Sequence, residues 1–593
     1  MKWIRSFRVA IGFTLQAAGR ELVLFLLCGV LMALFTPLSA LGAKHFVDAA
    51  IARDRFEVIV VAIGLGVWVG VSLLVTLYYL DLLYTMAEKT SAAVERRLMT
   101  LMAEIPGLAH HEHPTFLQEL DLLREEYGAI AWTTNSIAGL LRIVIGLGAS
   151  LVLLARLDPI LLTLPLFGAV QYWIGRRSRR LQKLATETTI EDDRLRRRLF
   201  DLATSASAGK EVRVFNLAEP LRRRYVEAAT VVRHARNRAD WQTAWLEVLI
   251  APLAVLGYVG GVGIVLIRAL SGLLTPGDVV LTLGLVAGLS SVTDAAAWHG
   301  GRLYTILRIA QRYLWLEAYA AGERKSLRNL ATVPIRLARG IELENLSFTY
   351  SGGAAPVLAD ISLTLPAGAV VALVGENGAG KTSLVKLLCR FYEPDGGRIL
   401  IDGIDVRDFS IDGWRERVSV AFQDYNEFEF LLRETVGVGE IARIADAAAV
   451  RGAIGKAGAD DIPSYLVAGL ETQLGRAWNF GVDLSVGQWQ KLALARAMMR
   501  QQPLLAVFDE PTAALDAPTE HALFERVAQA ARAGASAGWV TLLVTHRFST
   551  VRVADLIVVL DHGRVAEIGN HQQLVAAGGL YAELYELQAR TYR

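Results

Sequence analysis

The first half of the chain is built from long apolar stretches. Residues 22–43 and 58–80 contain no charged side chain, and 248–267 is a third clean run. A bilayer core of about 30 Å is crossed by about 20 helical residues rising about 1.5 Å each, so these three predict transmembrane helices. Two shorter runs, 143–155 and 160–175, flank Arg156-Leu157-Asp158-Pro159, which reads as a tight turn; the earlier of the two must extend back past Arg142 toward Trp132. Residues 279–293 supply a last, weaker span, for a total of six.

From about residue 341 the period changes. Residues 341–350 alternate like a strand, and 369–374 form a continuous apolar run typical of a buried one. Between the halves, residues 316–340 mix Glu, Arg, Lys and Ala as a connecting helix and linker do. The expected division is a membrane domain over 1–315, a linker over 316–340 and a soluble domain over 341–593.

Composition agrees with a membrane protein. Of the 593 residues, 53% are hydrophobic and 20% charged, with mean hydropathy +0.36. These values exclude a disordered chain and argue against an ordinary soluble enzyme. A net charge of +2 gives no global basic field, so nucleic acid is not an expected partner. Cys28 and Cys389 offer neither a disulfide framework nor zinc spacing. The local charge is more telling. Residues 176–238 are dense in arginine, whereas the opposite connections carry only Lys44, Arg53, Arg55, Arg156 and Arg268. Basic excess marks the cytoplasmic side, so the connections after spans two and four, and both termini, face the cytoplasm. The first apolar run has 22 residues, too long for a signal peptide, and reads as an uncleaved span preceded by an amphipathic interfacial helix over 1–18.

Several polar or small residues fall in or beside the spans. Glu247 and Asp294 read as helix-end residues that reach water, while Arg142 points to a water-filled cavity. Gly257 and Gly261 read as a close helix-packing pair. His110, His111 and His113 fit no helical metal-ligand spacing.

The chemistry lies in the second half. Gly375-Glu376-Asn377-Gly378-Ala379-Gly380-Lys381-Thr382 follows the 369–374 strand and precedes an apolar-periodic helix over 383–390. Strand, glycine-rich loop and helix make a P-loop: backbone N–H groups cradle phosphates, Lys381 reaches the β- and γ-phosphates, and Thr382, next to Ser383, ligates Mg²⁺. A second apolar strand, 504–508, ends in Asp509-Glu510. Asp509 suits Mg²⁺ and Glu510 suits a general base for the attacking water.

Leu484-Ser485-Val486-Gly487-Gln488 resembles the LSGGQ signature of ATP-binding cassette proteins. The other pieces match in order: Tyr350 as the adenine-stacking aromatic, Gln423 as the Q-loop glutamine that also approaches the metal, Ala514-Leu515-Asp516 as the D-loop and His546 as the switch histidine. With six spans first, the chain resembles an exporter-type half-transporter. Glu112-His113-Pro114-Thr115-Phe116, Phe422-Gln423-Asp424 and Gln488-Trp489-Gln490-Lys491 look most like bacterial lantibiotic and peptide exporters. No peptidase domain precedes the first span, so leader processing by the same chain is not expected.

The resemblance implies a membrane all-α six-helix domain fused to an α/β P-loop ATPase, with ATP and Mg²⁺ as cofactors, working in the bacterial inner membrane with its cassette in the cytoplasm. It implies a partner half-transporter, an identical chain by preference, whose Ser485, Gly487 and Gln488 close over the first chain's nucleotide, helped by the helix starting near Gln488. Segments 113–121 and 208–215 would couple closure to the spans, moving a peptide, lipid or amphipathic small molecule outward. One position departs from the pattern. Val486 replaces a signature glycine and is expected to crowd the phosphate and slow hydrolysis. The alternatives are an ATP-gated protein, an importer, and one half of an asymmetric heterodimer.

Overall fold

The computed structural model describes residues 2–206, 208–325, 330–510, 525–529, 532, 534–545 and 551–591. The chain divides into two compact units, Met1–Thr100 with Asp121–Glu317, and Leu101–Leu120 with Ala318–Arg593.

The first unit is helical throughout. Among the described residues its long helices are α1 (Lys2–Ala52), α2 (Arg55–Glu104), α3 (Thr133–Leu157), α4 (Leu164–Thr188), α5 (Ala218–Leu270) and α6 (Pro276–Lys325). Each carries one of the six expected apolar runs. Trp3–Ala52, Arg55–Glu104 and Pro114–Leu157 are long and apolar enough to cross a membrane, and Val255–Leu270 and Pro276–Leu289 are shorter apolar helices. Helix α1 leaves helical geometry at Ala18 (φ −148°, ψ 44°), so residues 2–17 form an element of their own, as the amphipathic pattern predicts.

The turn between α3 and α4 has a clear physical origin. Asp158 is extended and its carboxylate accepts from the Ile160 N–H at 2.8 Å, while Pro159 opens a single 3₁₀ segment, Pro159–Thr163. The fourth span therefore enters its α-helix at Leu164 rather than Ile160. The paired glycines also behave as expected: a Cβ on Gly257 would lie 2.3 Å from the Phe167 ring of α4, and one on Gly261 2.9 Å from Leu164. Arg142 lines a cavity of about 230 Å³ with Thr36, Ser150 and Gly288, its guanidinium 5.7 Å from the Tyr79 ring centre. Glu247 is exposed, and the Asp294 side chain lies outside the described set.

The second unit holds two sheets. One is antiparallel, in the order β2 (Leu358–Pro366), β1 (Gly340–Phe348), β4 (Gly396–Ile401), β5 (Ile404–Asp405). The other runs β10 (Arg564–Gly569), β9 (Leu556–Asp561), β3 (Val370–Val374), β8 (Val540–Val544), β7 (Leu505–Asp509), β6 (Val418–Ala421). Its parallel centre consists of buried, β-branched-rich strands, the pattern of a sheet covered on both faces. Helix α7 (Lys381–Leu388) follows β3, and α8 (Val486–Met498) packs through Trp489, Leu492 and Met498 into a core that also takes in Val370, Ala506, Phe508 and Leu543 of the sheet.

Candidate nucleotide site

The site sits at the carboxyl ends of β3 and β7, where ligands bind in open α/β sheets. Leu373 and Asp509 both pair with Val544 of the intervening β8, so the glycine-rich loop and the Asp509-Glu510 pair emerge at the same level. Two glycines make the loop possible. Gly375 has φ 151°, and a Cβ there would meet the Leu560 carbonyl at 2.2 Å; Gly380 has φ 99° as the residue before α7, and a Cβ would strike Leu358 at 2.6 Å.

A cavity of about 290 Å³ brings together Asn377, Gly378, Gly380, Lys381, Thr382, Ser383, Gln423, Asp509 and Glu510. The buried Lys381 ammonium donates to the carbonyls of Gly375 and Glu376 at 2.8 and 2.9 Å, and Ala379 N–H donates to Glu376 at 3.2 Å. Burial lowers the pKa of this ammonium, against the pull of Glu510 and Asp509. Thr382 Oγ1 lies 3.5 Å from Asp509 Oδ2. The other carboxylate oxygen, Asp509 Oδ1, is buried with no hydrogen-bond partner among the described residues. Burial, then Glu510 and Asp424, push the Asp509 carboxyl up to about 6, with Lys381 opposing. A buried orphan oxygen beside a hydroxyl and two further carboxylates is a donor set that fits a hard divalent cation. Glu510 adopts φ 46°, a left-handed conformation uncommon for a non-glycine residue, and its N–H donates to the Val544 carbonyl at 3.0 Å.

Tyr350 is not on the cavity wall. Its hydroxyl hydrogen-bonds Ser383 Oγ at 3.0 Å, its ring packs edge-on to Phe348 and Tyr392, and the Lys386 ammonium lies 5.3 Å from its centre. The signature also lies elsewhere in the unit. Ser485 Oγ accepts from Gln488 N–H at 3.3 Å while Ser485 N–H donates to Gln488 Oε1 at 2.8 Å, a complete capping box. The helix begins at Val486, two residues before Gln488, because Ser485 caps it. Val486 holds an ordinary first-turn helical position with its side chain 62% exposed, so the backbone there needs no glycine. His546 and Ala514-Leu515-Asp516 lie outside the described residues.

Three relevant side chains have no role assigned to them from the sequence. Asp424 adds a carboxylate next to Gln423, and its adjacency was the available signal. Arg415 donates to the carbonyls of Pro106, Arg390 and Cys389 at 2.6, 2.7 and 3.3 Å and lies 5.1 Å from the Phe391 ring centre. Tyr392 donates to Glu112, and Leu108 N–H donates to the Phe391 carbonyl at 3.0 Å. These contacts tie the segment after α2, with its short helices Ala109–Glu112 and Pro114–Glu126, to the end of α7. His110 is buried here against the rings of Phe116 and Tyr319, and burial lowers its pKa to about 4.

Comparison with known proteins agrees with this architecture. Residues 22–292 match the ABC transporter transmembrane region and residues 358–513 match the ABC transporter domain. The chain is 32% identical over 440 residues to an ATP-dependent lipid A-core flippase of Xylella fastidiosa (strain 9a5c), covering 73% of this chain and 70% of that one. It is 41% identical over 262 residues to the protein of the same description from Cupriavidus pinatubonensis, covering 44% and 43%. A solved bacterial Atm1-family ABC exporter with ATP bound superposes with a TM-score of 0.73 at 24% identity, over 97% of this chain and 99% of that one. Six long helices, a P-loop cassette and these relatives together show that the chain belongs to the ATP-binding cassette transporter family, as a multi-pass membrane half-transporter of the exporter type that hydrolyses ATP to drive transport.

Proposed function

We infer that two copies of this chain form the working exporter, in a bacterial inner membrane, with membrane domains ending near residue 315 and cassettes beginning near 341 on the cytoplasmic side. Each ATP is held on one copy by the loop from Gly375 to Ser383, with Tyr350 against adenine, and is covered by Ser485, Gly487 and Gln488 of the other copy. The observation that carries this reading is the incompleteness of the site in one chain. The nucleotide cavity gathers Lys381, Thr382, Gln423, Asp509 and Glu510 but no signature residue.

Thr382, Asp509 and Gln423 would hold Mg²⁺, which supplies charge neutralisation on the β- and γ-phosphate oxygens. Lys381 leaves its two loop carbonyls for phosphate oxygens, an exchange favoured because a partly desolvated ammonium gains from a charged acceptor. Glu510 accepts the proton of the attacking water, and His546 follows β8 in the position of the switch residue. The substrate is best described as an amphipathic, lipid-like molecule. The flippase relatives support that choice, while the motif details resembling peptide exporters favour a peptide.

The test is hydrolysis and transport by the full chain in proteoliposomes. Glu510→Gln is expected to lower steady ATP hydrolysis by at least about a hundredfold while nucleotide binding persists, since a positioned general base contributes typically 10²–10⁴-fold. Undiminished turnover would remove Glu510 from the mechanism. Hydrolysis confined to monomers in cross-linking and mass measurements would remove the shared site.

A further inference from the structure

The largest cavity described in the first unit is not part of the nucleotide site. It has a volume of about 1320 Å³ and lies between the 2–17 helix, the cytoplasmic part of α2 and the stretch of α6 around Tyr313. The 2–17 helix is held in place by aromatic contacts with α6: Trp3 stacks on Tyr304 at 5.6 Å and Phe13 meets Tyr313 edge-on at 5.2 Å. One part of the wall is apolar, from Val9, Phe13, Ala92 and Ala93. The remainder is basic.

Five cations line this cavity, Arg5, Arg8, Lys89, Arg96 and Arg97, against one carboxylate, Glu317. Lys89 is paired with Glu21 at 2.5 Å, and Arg97 approaches Glu317 at 3.9 Å. Arg5, Arg8 and Arg96 form no ion pair among the described residues. Three exposed arginines border this concave, half-apolar space, and their forked donors match phosphate oxygens.

Depth in the membrane narrows the anion. Glu21 directly precedes the first apolar run, and its pairing with Lys89 marks the level at which charge begins on the cytoplasmic side. Arg96 lies seven residues further along α2, about 10 Å at the helical rise. The headgroup layer on each side of the hydrocarbon core is itself only about 5–8 Å deep. The stretch from Lys89 to Arg96 thus spans the level of lipid phosphates, with Ala92 and Ala93 between the two basic residues.

The geometry points to a binding site for the phosphate headgroup of an anionic membrane lipid from the cytoplasmic leaflet, held by Arg5, Arg8 and Arg96. Free phosphate shares the headgroup's charge but cannot use the apolar wall, which commits the site to the lipid. Phosphatidylglycerol is the probe, titrated as a short-chain form into the full-length protein in detergent, with short-chain phosphatidylcholine and inorganic phosphate as parallel arms. Native mass spectrometry counts the bound lipid.

Each basic residue near an anionic lipid surface is worth about 1 kcal/mol, about a fivefold change in affinity. Arg5→Gln, Arg8→Gln and Arg96→Gln combined are therefore expected to weaken phosphatidylglycerol binding on the order of a hundredfold. The control removes three exposed arginines elsewhere, Arg194→Gln, Arg198→Gln and Arg224→Gln, and is expected to keep the lipid. Should the triple variant fail to bind ATP and so prove misfolded, Arg8→Gln alone is expected to lose about fivefold. Equal affinity for phosphatidylglycerol and phosphatidylcholine, displacement of the lipid by equimolar inorganic phosphate, or equal losses in the triple variant and its control would each overturn the proposal.

Discussion

The α4–α5 contact allows a stability prediction in which the two opposing terms can be separated. In Gly257→Ala the new methyl would sit 2.3, 2.5 and 2.6 Å from three atoms of the Phe167 ring, where ordinary carbon contacts begin near 3.4 Å. The helices must part by about 1 Å at that point, or the ring must leave its rotamer; either loses dispersion contacts, and overpacking of this kind costs about 1–3 kcal/mol. Against it stands the helical preference of alanine over glycine, about 1 kcal/mol in an exposed helix interior. Gly260→Ala, three residues along the same helix, gains the same preference and meets nothing within 4 Å. The difference between the two variants therefore isolates the packing term, about 1–3 kcal/mol in favour of Gly260→Ala. Thermal unfolding in detergent, followed by tryptophan fluorescence, should rank Gly260→Ala at or above the parent chain. Gly257→Ala should lie several degrees below Gly260→Ala. Coincident unfolding temperatures, or the reverse order, would refute the claim that α4 and α5 meet through this glycine.

Three further outcomes follow from the second unit. Arg415→Met keeps the aliphatic stem over Phe391 but removes charge-assisted bonds to Pro106, Arg390 and Cys389, worth about 1.5–3 kcal/mol each; in proteoliposomes, transport per ATP hydrolysed should fall more than hydrolysis itself, and a parallel fall in both would contradict a coupling role. Val486→Gly should change ATP hydrolysis less than about twofold, because the exposed side chain is replaced at a helical position where the two residues differ by under about 0.5 kcal/mol; a large gain would show instead that the valine crowds the phosphate. Burial leaves Cys389 3% exposed and pushes its thiol up to about 12, so maleimide should label it only after denaturation; rapid labelling of the native protein at neutral pH would show that the α7 core opens.

Much of this molecule was legible because strong physical constraints left a mark in one dimension. A hydrocarbon layer demands about 20 apolar residues in a row, and close phosphate approach demands residues without a Cβ, so the spans and the Gly375–Gly380 loop could both be read directly. The start of α8 is also written in the chain, because Ser-x-x-Gln at Ser485 and Gln488 is a capping-box pattern as well as part of the signature. What could not be read are contacts whose partners are remote. Arg415 meets Pro106 across 309 positions and Tyr392 meets Glu112 across 280, and nothing local to any of the four residues announces its partner. Tyr350 falls between these cases. Its position at the end of β1 was readable, but the hydroxyl bond to Ser383 and the Lys386 cation over its ring arise only when α7 packs beside the strand.

The capping box also bears on why a signature serine can serve a second nucleotide. A hydroxyl accepts and donates at once. Ser485 Oγ uses an acceptor lone pair for Gln488 N–H, which holds the first turn of α8 in register, and its own hydrogen has no acceptor among the described residues. Gln488 in turn consumes the Ser485 N–H, so the cap satisfies donors at the helix start without spending the hydroxyl proton. Tyr425 donates to the Val486 carbonyl at 2.9 Å and ties the same turn to the segment following Gln423. In the proposed dimer an incoming γ-phosphate would therefore meet a pre-oriented donor at the positive end of a 13-residue helix, with no hydrogen bond to break first. Preorganisation of this kind makes affinity depend on the partner's approach rather than on rearrangement within either chain, because ordering costs have been met in folding. The same cap and helix also set the backbone at Val486, so the fold of this turn does not depend on a glycine there.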